Sequence, residues 1–308
     1  MNVVVIGGAG FIGSHLVERL LAEGHAVDVV DDLSSGTLAN LAEARRASAA
    51  GADLTIHHLD GLAAEVDSLF GMRRPQLVYQ LALFDREDRS ALAQGRAFDA
   101  ALVTMESARR HGVTKVVTTV PASAIHGHPA ASALPVKEGD LVPHGVRGVV
   151  ARAVVDLMST YRERDMIEFT ALAMSTVYGP RQRPGSGVVA TLLEAAASGR
   201  TPVLHGEGRQ TRDLLFVDDA VDALVRAGEK GSGLVINIGT GEQTTLRDLW
   251  AMIEPDGTIV PDAGPPRPDD LLRFAVSPVR ARIHLGWSPW TDVPTGLARL
   301  RARDADRP

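Results

Sequence analysis

The sequence contains no cysteine. That excludes disulfides, thiol nucleophiles and cysteine-ligated metals from any account of this chain. Among 308 residues there are three tyrosines and only three lysines, Lys115, Lys137 and Lys230. Chemistry that needs a tyrosine–lysine pair therefore has very few positions to draw on. No apolar run approaches the ~18 residues of a membrane span. The opening stretch MNVVVIGG reads as a strand, not as a basic segment leading to a cleavage site. There is no long basic run, and a net charge of −6 argues against nucleic acid or an anionic membrane as the main partner. These absences point to a soluble cytoplasmic protein of ordinary composition, 45% hydrophobic and 23% charged.

Short valine-rich runs alternate with longer helical patterns through the first half. VVVI (3–6), AVDVV (26–30), LVYQLA (77–82) and KVVTTV (115–120) read as strands buried on both faces of a parallel sheet. Residues 12–23, 38–48, 91–111 and 149–164 read as the helices between them. This order predicts an α/β fold with a Rossmann-type doubly wound parallel sheet. After residue 180 come a turn-rich loop (GPRQRPGSG), a helix over 188–198, a strand running into a helix at Asp218, a buried strand LVINIG (234–239) and a proline-rich surface loop, PDAGPPRPDD. With no tether between them, we expect a smaller C-terminal substrate lobe (176–212 and 242–308) interleaved with a dinucleotide-binding domain (1–175 and 213–241).

VVVIGGAGFIGSHLVERLLAEG places Gly7, Gly10 and Gly13 between a strand and a helix. Glycines there allow a tight turn and close backbone approach, so a diphosphate can rest on the helix N-terminus. Asp31 and Asp32 stand at the end of the next strand. A carboxylate at that point accepts hydrogen bonds from ribose hydroxyls and repels a 2′-phosphate, which favours NAD over NADP.

The stretch GGAGFIGSHLVERLLAEGHAVDVVDDLSSG resembles the extended short-chain dehydrogenase/reductases, the NAD-dependent sugar-nucleotide epimerase/dehydratase family. The likeness continues through VYGPRQRP, GEGRQTRDLLFVDDAVDAL, VINIGTGEQTTLRDL and ARIHLGWSP, in family order over nearly the whole chain. It implies NAD as cofactor, with Gly7, Gly10, Phe11, Ile12 and Gly13 as the dinucleotide loop. Asp31, Asp32, Ser35 and Gly36 would lie at the adenosine ribose, Asp60 and Gly61 at the adenine edge, and Leu81 and Ala82 beside the nicotinamide. Thr176 would take the place of a substrate-binding asparagine, and Arg212 and Arg267 would grip the diphosphate of a nucleotide sugar, as a guanidinium fork suits. The resemblance also implies a homodimer built from two helices per subunit, at about 91–111 and 149–164.

The family's proton transfer uses a tyrosine with a lysine four residues later, helped by a serine or threonine. Four residues beyond Tyr79, Tyr161 and Tyr178 stand Leu83, Asp165 and Gln182, so no such pair exists. Counting back from DLMSTYRE puts Arg147 at the tyrosine and Ala151 at the lysine. Matching PHGV instead puts His144 and Gly148 there but demands a longer helix, and helix length favours the first. The orienting serine becomes Ala122, with Ser123 one place off, and QLAL puts the bulky Leu83 where the family has a small residue. Candidate catalytic residues are therefore Ser123, His144 and Arg147, with His126 and His128 on the same segments. Histidine titrates near neutrality, whereas arginine stays charged and suits an oxyanion.

Three functions fit. One is an NAD-binding enzyme acting on a nucleotide-linked sugar or related small molecule by epimerisation, elimination, decarboxylation or keto-reduction with replaced acid/base groups. Another is a catalytically inactive NAD-binding sensor or scaffold. The last is a non-redox enzyme using the old cleft; no metal-ligand spacing supports a metal version.

Overall fold

The structure is a computed structural model that describes residues 1–84, 90–139, 141–267 and 270–305, the last three of these by backbone alone. The chain begins with β1 (Asn2–Ile6), α1 (Phe11–Ala22), β2 (Ala26–Asp31), α2 (Ala42–Ala49), β3 (Leu54–His58), α3 (Ala64–Arg73) and β4 (Leu77–Gln80). It continues through α4 (Ala91–His111), β5 (Lys115–Pro121), the four-residue α5 (Ala122–Ile125), α6 (Gly145–Asp165) and β6 (Glu168–Met174). Then follow β7 (Thr176–Tyr178), α7 (Val188–Ala197), β8 (Val203–His205), β9 (Thr211–Arg212), β10 (Leu214–Phe216), α8 (Val217–Glu229) and β11 (Leu234–Ile238). The chain closes with β12 (Thr244–Thr245), α9 (Leu246–Ile253), β13 (Asp262–Gly264), α10 (Val279–Leu285) and α11 (Val293–Ala305).

Seven strands form one parallel sheet in the order β11-β6-β5-β4-β1-β2-β3. Alternation along β1 assigns its two faces. Val3 and Val5 pack with Leu16, Val17 and Leu20 of α1 and with α8, while Val4 and Ile6 pack with Phe70 of α3, Met105 of α4 and Val154 of α6. Helices therefore cover both faces, which is why these strands read as continuous apolar runs. The order reverses between β1 and β4, and there the crevice at the carboxyl ends of the strands opens.

Local chemistry sets the helix limits. Ser90 Oγ accepts from the Ala93 amide at 3.2 Å at the start of α4. Gly112 closes the same helix at φ +72°, after a last turn carrying Arg109, Arg110 and His111. The expected strand over 77–82 stops at Gln80, because the Ala82 amide turns back onto Gln80 Oε1 at 3.0 Å. The expected helix over 38–48 is a 3₁₀ turn at Leu38–Leu41 followed by α2. The proline-rich loop starts as β13 paired with β8, and its residues 268–269 lie outside the described residues.

Two strands of the central sheet that the apolar pattern did not reveal are β3 and β6. β3 is the sheet's edge, and its LTIHH sequence carries His57, which bonds to the buried Asp28 at 2.8 Å, opposite Arg73 at 2.7 Å on the same carboxylate. β6 is buried but carries threonine, alanine and methionine in place of a valine-rich run. Outside the central sheet, Asp213 knits the later chain together. Its carboxylate accepts from the amides of Thr240, Gly241 and Val276, and burial still pushes its pKa up. No helix among the described residues is long and apolar enough to cross a membrane.

Candidate active site

A cavity of about 540 Å³ lies at the carboxyl ends of β1, β2, β4 and β5. Its lining includes Gly7, Gly10, Phe11, Ile12, Gly13, Asp31, Asp32, Ser35, Asp60, Gly61, Leu81 and Ala82, so twelve residues expected from sequence meet in one place. Gly36 lies just behind, where a Cβ would come within 2.7 Å of the Ala9 carbonyl carbon and 2.9 Å of Asp31 Oδ1.

The loop is shaped for a ligand with a diphosphate. Gly7 has φ +84°, and a Cβ on Gly13 would stand 2.1 Å from the Gly7 carbonyl oxygen. Gly10 is the N-cap of α1 and offers no side-chain cap, and it lines the cavity, so the helix's positive end faces that space. Asp31 braces the loop, with Oδ2 accepting from the Ala9 amide at 2.8 Å and Oδ1 from the Leu33 amide at 2.9 Å. Burial, with a smaller push from Asp32, holds its pKa above the usual carboxylate range against those bonds. Asp32 is exposed and ordered by Ser34. A glycine cradle that side chains cannot enter, an uncapped helix end and a carboxylate at the next strand end fit a dinucleotide.

Gln80 is buried beneath this site. Its Nε2 donates to Thr104 Oγ1 at 2.9 Å, which ties the exit of β4 to α4. Sequence reasoning missed three charged residues that line the same cavity. Arg96 comes from α4, and Arg181 and Arg183 come from the loop after β7. Arg181 sits at φ +66° and donates from Nη2 to Glu18 of α1 at 2.6 Å, pinning its loop to α1. VYGPRQRP held the signal for these two, but its arginines were not singled out.

The tyrosines and lysines all lie elsewhere. Tyr79 and Tyr178 are in the core, where burial pushes their pKa up strongly. Tyr161 bonds to Glu106, and burial and that bond raise its pKa to about 12. Lys115 begins β5, at the end of the sheet away from the cavity, and donates to the Lys230 carbonyl at 2.7 Å. Burial lowers its pKa to about 8. Lys137 and Lys230 are exposed and do not line the cavity.

The expected proton-transfer segment is a contact between α5 and the start of α6. α6 begins at Gly145, four residues before the expected 149, with His144 as its N-cap. The His144 amide donates to the Ala124 carbonyl at 2.9 Å, and the centroid of its ring lies 4.1 Å from that of His128, the two planes tilted by 31°, with both residues exposed. Ser123 is exposed on α5. Arg147 is half-buried, with its guanidinium 5.8 Å from the centroid of Phe84, a cavity residue. Both positions aligned with the lysine are closed. A Cβ on Gly148 would meet the Ala124 oxygen at 2.3 Å, and Ala151 is 0% exposed. His126 is buried against Asn237 Oδ1 at 2.7 Å, and burial lowers its pKa.

The residues expected to hold substrate are spread over the later chain. Thr176 opens β7 and its amide donates to the Asp213 carbonyl. Arg212 donates to the carbonyls of Thr211 and Leu271 and to Asp270 Oδ1 at 3.0 Å. Arg267 is exposed and meets His205 Nε2 at 2.9 Å. None of the three lines the cavity.

Residues 3–239 match the model of the NAD dependent epimerase/dehydratase family. The chain is 38% identical over 320 residues to the UDP-glucose 4-epimerase of Mycolicibacterium smegmatis, across 97% of each protein. Its fold is similar to that of Thermotoga maritima UDP-glucose 4-epimerase with UDP-glucose (TM-score 0.90, 29% identity, 99% of this chain and 100% of that one). It is also similar to Thermus thermophilus UDP-glucose 4-epimerase in complex with NAD (TM-score 0.87, 28% identity, all of both chains).

Proposed function

Because the chain belongs to the NAD dependent epimerase/dehydratase family, we propose that it binds NAD and acts on a nucleotide-linked sugar with acid/base groups other than a tyrosine–lysine pair. The observation that carries this reading is a single cavity lined by the glycine loop, Asp31, Asp60 and the later arginines Arg181 and Arg183, with every tyrosine and lysine placed elsewhere. The relatives named above, one with UDP-glucose and one with NAD, support the same classes of ligand here.

NAD, when bound, supplies a hydride acceptor. Gly7, Gly10, Phe11, Ile12 and Gly13 hold its diphosphate, Asp31, Asp32, Ser35 and Gly36 its ribose, and Asp60 and Gly61 its adenine. Leu81 and Ala82 flank the nicotinamide. Thr176, Arg212 and Arg267 belong to the substrate side, within a lobe of residues 176–212 and 242–308. Arg212 reaches a phosphate only by releasing Asp270 and the carbonyls that now occupy it.

His144 is the proton acceptor in this reading, since histidine is the side chain that most often serves as a general base and this one is exposed on the segment in question. Its backbone N–H donates to the carbonyl of Ala124, the residue after Ser123, and Ser123 orients the sugar hydroxyl. Arg147, close to the start of α6 and against Phe84, stabilises a developing oxyanion without giving up its own proton. A homodimer through α4 and α6 completes the proposal. One observation favours a second reading, a catalytically inactive NAD-binding sensor or scaffold: Ser123, His144 and Arg147 do not themselves line the cavity.

Purified protein incubated with NAD and a panel of nucleotide sugars separates the two. The enzyme reading expects a converted sugar, and His144→Ala lowers kcat by about 10²-fold or more. If His144→Ala and Arg147→Ala both leave turnover intact, the catalytic assignment is wrong. NAD binding without conversion of any sugar supports the sensor.

A further inference from the structure

The far end of the cavity is a slot between α4 and the chain just after β3. Ala93, Ala97 and Ala100 form one wall, at helical spacing on α4, and Leu59, Leu62, Ile6 and Val30 are apolar lining beside them. Short side chains at 93, 97 and 100 leave width for a planar ring. At this end stand Asp60 and Arg96, both lining the cavity. Asp60 Oδ1 accepts from the Leu62 amide at 3.0 Å, and Asp60 Oδ2 accepts from Arg96 Nη2 at 3.0 Å.

This ion pair is a poor device for stability. Its side chains are 63% and 46% exposed, and such pairs add little to folding because solvent screens them and two long side chains must be ordered. Its position supplies a better reason. The pair joins the chain after β3 to α4, and both of its residues line the cavity together with Ala93, Ala97 and Ala100. A base with an amino group beside a ring nitrogen needs an acceptor and donors together. The carboxylate is the acceptor and the guanidinium fork supplies donors, with an added attraction to an aromatic face.

We propose that Arg96 is a cofactor-binding residue, which with Asp60 forms a latch across the adenosine end of the cavity and slows release of the dinucleotide. This rests on the reading of the cavity as an NAD site, and adds a residue and a kinetic role to it. Arg96 swings from Asp60 to admit the base, then returns to hold the carboxylate and cover the ring. The effect falls mainly on dissociation, as for most close contacts.

The test follows NAD release from the full chain by stopped flow, alongside equilibrium binding of NAD and ADP-ribose, for wild type, Arg96→Ala, Arg96→Lys, Asp60→Asn and the double variant. Arg96→Ala is expected to speed release about five- to tenfold for both ligands. Lysine, which keeps the charge but not the fork, restores part of the loss. The two single effects are expected to be non-additive in the release rate, while the melting temperature without ligand barely moves. Unchanged release in Arg96→Ala overturns the latch and leaves the NAD reading standing. A wild-type chain that binds neither NAD nor ADP-ribose overturns both. A loss of melting temperature that fully accounts for the faster release assigns the pair to stability and also overturns the latch.

Discussion

Two places in this molecule use the same steric device to opposite ends. In the loop after β1, Gly13 lets the backbone close so tightly that a Cβ would stand 2.1 Å from the Gly7 oxygen. At the start of α6, Gly148 lets the helix close on α5 so tightly that a Cβ would stand 2.3 Å from the Ala124 oxygen. The first closure shapes a cradle beside an open cavity of about 540 Å³. The second fills a position where the family resemblance sets a lysine, and α6 packs Ala151, the other such position, into the core at 0% exposure. A glycine against a carbonyl thus builds a ligand seat only where the facing side stays open.

The largest expected effect tests the open side of that contrast. Gly13→Ala forces the Gly7 carbonyl to move, so NAD affinity is expected to fall about 100-fold or more, with a destabilisation of about 3 kcal/mol. Titration with NAD and denaturant unfolding measure the two losses. Near-normal NAD binding in this variant would mean that the loop relaxes freely and that its tightness does not shape the cradle.

The closed side predicts a different pattern. Gly148→Ala is expected to cost about 2 kcal/mol of stability while leaving NAD affinity within about twofold of wild type. Restoring the family pair as His144→Tyr with Gly148→Lys should destabilise the fold and produce no sugar conversion, because the lysine stem cannot pass the Ala124 carbonyl. A stable and active double variant would show that the α5–α6 contact opens readily, and the contrast between the two glycines would collapse.

Sequence alone served these two regions unequally, for physical reasons. The nucleotide side was legible because a glycine spacing, a strand before it, a helix after it and an acid at the next strand end are all local signals. Those signals give Gly7, Gly10, Gly13, Asp31 and Asp32, while the other eight expected residues came only from the family resemblance; all thirteen line the cavity or, for Gly36, lie directly behind it. Arg96 gave no such signal, because one arginine among alanines on a helix reads as a solvated face until the fold sets it opposite Asp60. The absence of a tyrosine–lysine pair was plain in the sequence, yet the closure of its place depends on α5 meeting α6, a contact between segments with no shared pattern. β3 was hidden by its edge position, where His57 serves Asp28 and the apolar run is broken. The starting point of α6 was also missed, since Gly145 and Gly148 are poor helix formers that tertiary packing overrides.

The smallest expected effects concern titration, and the two regions should differ in sign. Burial raises the pKa of Asp31 in the folded chain, so the native state holds that proton more tightly than the unfolded chain, whose aspartates titrate near ~3.9. Its contribution to the stability of the ligand-free protein is therefore greatest in acid and declines as pH rises from the unfolded value through the folded one. In the proposed role of Asp31 at the ribose only the carboxylate would accept from both hydroxyls, so NAD affinity should run the other way and strengthen by a few-fold over the same interval. His126 lies on the opposite region, where burial lowers its pKa. Its contribution is lost as pH falls from the unfolded value near ~6.5 toward the folded one, since the unfolded chain then takes up the proton first. Asp31→Asn should flatten the acid-side change in NAD affinity without altering the neutral-side slope, and His126→Gln should do the reverse for stability alone. Unfolding midpoints and NAD titrations across both intervals check the pair of slopes. If His126→Gln changes the pH dependence of NAD binding as well, the proton-transfer segment is coupled to the cofactor cradle, and the two regions work as one site.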